Sequence, residues 1–233
     1  MLLTLSSKVI KPVTNLKVEY NGQTALHIEK LQLPEVGLVA VLGSNGSGKS
    51  TLFKALLGLL PATGIYLLSK IAADKSTSYL PQNTSLPASI PLRVRDLLEQ
   101  GGLQKDKSFI TELGLQRLLD KQVSQLSGGQ LKRSLFLRSI ISQPDILVLD
   151  EPFNQVDKET REVITKILLD YSKNHLVILS THDWDFAKEY ADYSLILAGK
   201  VVAYDSTQKL AAEKQDIPQL AHAHNILCEE HHA

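Results

Sequence analysis

The sequence predicts an α/β fold: a mostly parallel sheet core with an N-terminal antiparallel β-subdomain and an inserted α-helical subdomain. Three observations predict it. Residues 36–42 (VGLVAVL) and 146–149 (ILVL) are short and apolar at every position, which marks strands buried on both faces as in parallel sheets. Between such runs lie segments with apolar residues at helical spacing, and alternation of this kind is the signature of a sheet covered by helices. Near the start, Leu16, Val18 and Tyr20 alternate with polar residues, as do Leu26 and Ile28, so the first strands are half-exposed and antiparallel.

In chain order, the strand at 36–42 runs into a glycine-rich turn and then a helix carrying Leu52, Phe53, Leu56 and Leu57, with Pro61 as the expected stop. Residues 65–68 and 78–80 read as short strands. From Gln82 to Gln125 the pattern becomes loops and short helices, broken by Pro87, Pro91 and Gly101-Gly102. After the strand at 146–149 comes a helix with Val163, Ile164, Ile167, Leu168 and Tyr171, then strands at 176–179 and 195–197. The expected organisation is a core of residues 1–82 and 131–212, a helical subdomain at 83–130, and a His-rich tail at 213–233. There is no internal repeat and no sustained heptad pattern.

Composition excludes several classes. The 233 residues carry 25 Lys+Arg against 25 Asp+Glu, a formal charge of zero, which argues against a dedicated nucleic-acid binder or a polybasic membrane anchor. No run approaches the roughly 20 apolar residues of a bilayer-spanning helix. The first residues lack the charged-then-apolar order of an export signal. The single cysteine, Cys228, excludes an internal disulfide. The expectation is a soluble globular protein of a reducing cytoplasm.

Gly43-Ser44-Asn45-Gly46-Ser47-Gly48-Lys49-Ser50 fits G-x-x-x-x-G-K-[ST]. Its glycines let the backbone turn its N–H groups onto phosphate oxygens, and the helix starting near Lys49 presents its positive end. Lys49 reaches the β- and γ-phosphates, and the Ser50 hydroxyl completes a Mg²⁺ shell. The apolar strand 146–149 ends in Asp150-Glu151: Asp150 suits Mg²⁺ and Glu151 a general base acting on water. His182, in Ser-Thr-His-Asp after the next strand, could hold the attacking water and donate to the γ-phosphate. Gln82 ends the strand at 78–80 and could sense Mg²⁺ and the γ-phosphate. In isolation a histidine there is more often structural, and Gln82 is a surface glutamine.

Leu126-Ser127-Gly128-Gly129-Gln130 settles the class, because this pentapeptide arises by chance in about one chain per thousand or fewer. With the phosphate loop before it and the acidic strand end after it, the sequence resembles the nucleotide-binding subunit of ABC transporters over residues 1–210. The resemblance implies a RecA-like P-loop NTPase core, ATP and Mg²⁺ as cofactors, and ATP hydrolysis coupled to transport. It implies a nucleotide-binding set of Tyr20, Gly43, Ser44, Asn45, Gly46, Ser47, Gly48, Lys49, Ser50 and Thr51, with Tyr20 stacking on adenine; a core tyrosine is the alternative. Ser127, Gly128, Gly129, Gln130 and Asp157 belong to the same set, Glu151, His182 and Gln82 to hydrolysis, and Ser50, Gln82 and Asp150 to the metal. Ser127 begins a helix whose N–H groups form a second anion site. In the family that site closes on ATP held by another subunit, which implies a head-to-tail homodimer. Further implied partners are membrane permease subunits docking between Gln82 and about Gln100, and indirectly an extracytoplasmic metal-binding protein. The implied location is the cytoplasmic face of the membrane.

Tyr79-Leu80-Pro81-Gln82, followed by Pro91-Leu92-Arg93-Val94, resembles the PQ…PxxV pattern of zinc and manganese importers. Residues 151–157 (EPFNQVD) look like their EPFxGVD, with Gln155 in place of the glycine. The tail gathers His222, His224, Cys228, His231 and His232, ligand types that suit Zn²⁺ at a spacing that matches no structural zinc motif. A solvated tail is the alternative. DNA-repair relatives would insert long coiled coils between loop and signature, and translation relatives usually carry two cassettes; neither is present here. A binding switch without turnover would lack Glu151 or His182, and both are present.

Overall fold

The computed structural model of the chain describes residues 10, 12–65, 68, 75–83, 91–99 and 108–213. It opens with β1 (Val13–Tyr20) and β2 (Gln23–Leu31), an antiparallel pair joined at Asn21-Gly22, whose positive φ angles of 50° and 79° make the primed turn favoured in hairpins. β3 (Gly37–Leu42) leads through the glycine-rich loop into α1 (Lys49–Leu56), and β4 (Thr63–Ile65) returns to pair with β1. Then come β5 (Thr77–Leu80), α2 (Val94–Glu99), α3 (Ser108–Glu112), two short 3-10 turns and α4 (Gly128–Ile140). The remainder is β6 (Ile146–Leu149), α5 (Lys158–Ser172), β7 (Leu176–Thr181), α6 (Trp184–Tyr190), β8 (Tyr193–Leu197), β9 (Val201–Ser206) and α7 (Thr207–Glu213).

The strands form a three-stranded sheet, β2-β1-β4, and a six-stranded sheet, β5-β6-β7-β3-β8-β9, parallel except for β9. Strands β3 and β6 are apolar throughout, and β7 is apolar up to Ser180, because their two faces feed two cores. Leu147, Leu149, Val177 and Leu179 pack against Val94, Leu97, Phe136, Ile164 and Leu168 of the helices on one side. Val39, Val41, Ile146, Val148, Leu176 and Ile178 pack against Leu52, Phe53 and Leu56 of α1 and Val18, Leu26 and Ile28 of the antiparallel sheet on the other. Each such side chain contributes about 1.5–3 kcal/mol by leaving water, so a polar residue at any of these positions would weaken the sheet.

The register brings the strand ends level: Leu42 pairs with Thr181, Leu149 with Leu179, and Leu80 with Leu149. Everything that follows these strands therefore emerges along one edge, where α/β sheets hold ligands.

Three local expectations change. Helix α1 stops at Leu57 rather than near Pro61. Gly58, at φ 71°, donates to the Ala55 carbonyl at 2.8 Å and Leu59 donates to the Lys54 carbonyl at 2.7 Å, a glycine-dependent Schellman cap. The strand expected at 65–68 lies instead at Thr63–Ile65, and Leu68 is helical and buried. A four-residue apolar run has no periodicity to distinguish the two states. The sheet also gains the antiparallel edge strand β9, whose VVAYDS pattern alternates too weakly to read as a strand.

Candidate active site

At Gly43, the first residue after β3, a Cβ would lie 2.4 Å from the Leu197 carbonyl oxygen and 2.4 Å from Ser47 Oγ, so only glycine fits. The loop closes through the Ser47 N–H, which donates to the Ser44 carbonyl at 3.1 Å. Helix α1 has no side-chain cap, which leaves its positive end open to an anion. The Ser44 and Ser47 hydroxyls are buried without hydrogen-bond partners. Orphaned donors in a loop of this shape fit a phosphate group.

Lys49 is buried and folds back over its own loop. Its Nζ donates to the Gly43 carbonyl at 2.7 Å and the Ser44 carbonyl at 3.0 Å, and lies 3.9 Å from Glu151 Oε1. Burial lowers its pKa from the ordinary lysine value, with the charges of Glu151 and Asp150 opposing.

Asp150 is held by β7, the strand between β6 and β3. Ser180 Oγ donates to Asp150 Oδ1 at 2.6 Å and accepts the Glu151 N–H at 2.8 Å. Glu151 has φ 49°, an uncommon conformation for a residue with a side chain, and it turns the chain sharply after Asp150. Glu151 Oε2 lies 3.5 Å from Nδ1 of His182, a largely exposed side chain just past β7. On the other side, Lys132 of α4 is buried and donates to the Gln82 carbonyl at 3.4 Å. Burial lowers its pKa too, with Asp150 and Glu151 opposing. Two buried carboxylates thus sit between two buried ammonium groups, which limits the cost of desolvating either sign.

A cavity of about 470 Å³ unites Tyr20, Asn45, Gly46, Ser47, Gly48, Lys49, Ser50, Thr51, Gln82, Asp150 and Glu151. Gly43 and Ser44 anchor the loop behind it. Tyr20 ends β1 with 48% of its surface exposed, so it is not a core tyrosine. The signature residues do not line this cavity. Gly128 borders a separate hollow of about 260 Å³ with Gln82, Asn83, Lys132 and Gln155. Ser127 caps α4 in a reciprocal box: its Oγ accepts the Gln130 N–H at 3.3 Å, and Gln130 Oε1 accepts the Ser127 N–H at 3.1 Å. Asp157 caps α5, accepting the Thr160 N–H at 2.7 Å, a bond that holds its carboxyl below the usual range. Gln155, where the resemblance leads one to expect glycine, has φ 63°. A larger open cleft of about 1150 Å³ beside α5 and α6 contains none of the expected site residues.

Ser180 and Lys132 escape a reading by motif. The available signal is a hydroxyl inside the apolar run LVILST and a lysine one turn into the signature helix. The His/Cys tail lies outside the described residues. Among the described residues no cluster of three metal-ligating side chains occurs, and no helix is long and apolar enough to cross a membrane.

A family model described as ABC transporter matches residues 26–154. The manganese transport system ATP-binding protein MntB of Bacillus subtilis (strain 168) is 34% identical over 215 residues, covering 84% of this chain and 86% of that protein. The zinc transport system ATP-binding protein TroB of Treponema pallidum (strain Nichols) is 30% identical over 210 residues, covering 82% of this chain and 79% of that protein. A solved structure of an ATP binding subunit of an ABC transporter aligns with a TM-score of 0.75 at 22% identity, over 92% of this chain and 98% of its own, a likeness of fold. The family match spans more than half of the chain and the phosphate loop with it, and on that basis the chain belongs to the ABC transporter family as an ATP-hydrolysing, ATP-binding subunit.

Proposed function

We propose that the chain powers an importer of a divalent metal ion, zinc or manganese, working as a head-to-tail pair of copies at the cytoplasmic face of a membrane. The observation that carries the reading is the cavity that joins the phosphate loop to Gln82, Asp150 and Glu151, with His182 beside Glu151. The metal class is supported by the relatives named for manganese and zinc transport and by the PQ…PxxV and EPFx-VD patterns.

In this reading Tyr20 stacks on adenine, and the amides of residues 43–51 receive the β- and γ-phosphates. Lys49, set over the loop by the carbonyls of Gly43 and Ser44, offers its ammonium to the β- and γ-phosphate oxygens. The hydroxyl of Ser50, the carboxylate of Asp150 and the amide oxygen of Gln82 are hard oxygen donors and would hold Mg²⁺, which neutralises phosphate charge when bound. Glu151 takes a proton from the attacking water while His182 holds that water against the γ-phosphate. Ser127, Gly128, Gly129 and Gln130 complete the site from the second copy. The capping box suits this role, because Ser127 Oγ accepts from Gln130 and keeps its own proton for a phosphate oxygen. Asp157 belongs to the same nucleotide-binding set. Permease subunits dock between Gln82 and about Gln100, an extracytoplasmic binding protein delivers the ion, and nucleic acid has no part.

Reconstitution of the chain with its permease tests the reading. ATP hydrolysis should rise severalfold with a zinc- or manganese-loaded binding protein and stay basal with the apo form. Equal rates for loaded and apo forms of both metals would overturn metal import.

A further inference from the structure

Arg161 lies one turn into α5, beyond the capping residue Asp157, and carries no role in the site as described. Its guanidinium carbon is 5.1 Å from the centre of the Phe153 ring and 5.6 Å from that of Phe186, and the two rings meet at 4.8 Å with a 58° tilt. The same guanidinium donates through Nη2 to Asp183 Oδ2. Asp183 is otherwise committed to its own loop: its Oδ1 accepts the Phe186 N–H at 2.9 Å, and its N–H donates to Thr181 Oγ1 at 3.0 Å. Burial would raise the Asp183 carboxyl, yet the Arg161 and Phe186 hydrogen bonds and the Arg161 charge hold it below the usual range.

Phe153 is two residues from Glu151, and Asp183 is adjacent to His182. One side chain, rooted in the helix that Asp157 caps, therefore grips both segments that deliver the Glu151–His182 pair, whose side chains stand 3.5 Å apart. We propose that Arg161 is a positioning residue that fixes the separation of Glu151 and His182 by clamping Phe153 and Asp183. The proposal rests on the reading of those two residues as the hydrolytic groups. The forked guanidinium matters: it spans two rings and a carboxylate at once, whereas a lysine can satisfy the rings but not the fork.

The test compares Arg161→Met, Arg161→Lys and Asp183→Asn in the full chain, measuring kcat, KM, ATP affinity by calorimetric titration and thermal midpoint. Misplacement of reacting groups by a fraction of an ångström to one ångström should lower kcat about 10- to 100-fold. Arg161→Met should show that loss with ATP affinity within about twofold of the parent, because no contact to the phosphate loop is touched. Arg161→Lys should retain an intermediate kcat. Asp183→Asn, which keeps a capping side chain, should lower kcat, and adding it to Arg161→Met should cause little further loss. If Arg161→Met fails to fold, the other two variants decide. The proposal is overturned if kcat per folded molecule stays within twofold of the parent, or if kcat and ATP affinity fall together with the thermal midpoint. Glu151→Gln is assayed alongside: wild-type turnover in that variant would sink the reading of Glu151 itself, a separate outcome from failure of the clamp.

Discussion

Lys49 shows how much of this molecule turns on single charged groups. Its ammonium is held by two carbonyl oxygens and lies beside Glu151, so a buried charge is satisfied within the protein. Lys49→Ala removes hydrogen bonds to a charged ligand, each contributing about 1.5–3 kcal/mol. Calorimetric titration should show ATP affinity weakened at least about tenfold, and unchanged affinity would refute the role. The phosphate loop was legible because glycine, lysine and serine at fixed spacing have few other uses. Ser180 was not, since a hydroxyl in an apolar strand takes its meaning only from the strand beside it, and β7 lies next to β6 by topology rather than by sequence. Gln155 is legible in the opposite sense, as a departure whose cost the backbone exposes. A side chain at φ 63° costs roughly 1–2 kcal/mol. Gln155→Gly should relieve that strain and lose roughly 0.4–1 kcal/mol to the added freedom of the unfolded chain. The net expectation is a gain of about 0 to 1.6 kcal/mol, read as a higher denaturation midpoint; a lower midpoint would mean that the Gln155 side chain contributes more than its backbone costs.

Three helices in this protein are started by residues to which the proposals above give a second role, in the composite site or in the clamp. Ser127 begins α4, Asp157 begins α5 and Asp183 begins α6, each accepting a backbone N–H. Sequence periodicity found the helices at 51–60 and 163–171, because their apolar stripes repeat. It misjudged where α1 ends, because a proline is a louder stop signal than a glycine that needs φ 71°. The short helices α2 and α3, at Val94–Glu99 and Ser108–Glu112, are too brief to show a period and were readable only as a class. Dual use by the caps can be separated experimentally. Ser127→Ala should cost about 1 kcal/mol of stability by removing the cap. Ser127→Asp keeps a capping oxygen and should leave the denaturation midpoint close to the parent, yet its negative charge would repel the phosphate it faces across a dimer. ATPase activity should therefore fall further in the more stable variant. If Ser127→Asp retained full turnover, the hydroxyl would have no part in phosphate contact.

At the scale of the whole molecule, parallel register explains why motifs far apart in sequence meet: β3, β5, β6 and β7 end level, and their following residues fill one edge. The fold class was legible from alternation alone, whereas the strand order β5-β6-β7-β3-β8-β9 was not, since nothing local in β6 says that β7 separates it from β3. The same geometry leaves the signature residues off the wall of the phosphate cavity. The proposed head-to-tail pair, with a site assembled from the loop of one copy and the signature of another, makes a prediction that no single-chain site shares. Lys49→Ala disables the loop and Ser127→Asp disables the signature, so each homodimer is inactive. In a heterodimer both lesions fall in one of the two sites, and the other pairs an intact loop with an intact signature. Equal mixing makes half the dimers heterodimeric, each with one intact site, so activity should return to roughly a quarter of the parent level if the sites act independently. An ATPase assay of the mixed variants, against each alone at the same total concentration, reads this directly. No recovery after subunit exchange would mean that each chain completes its own site.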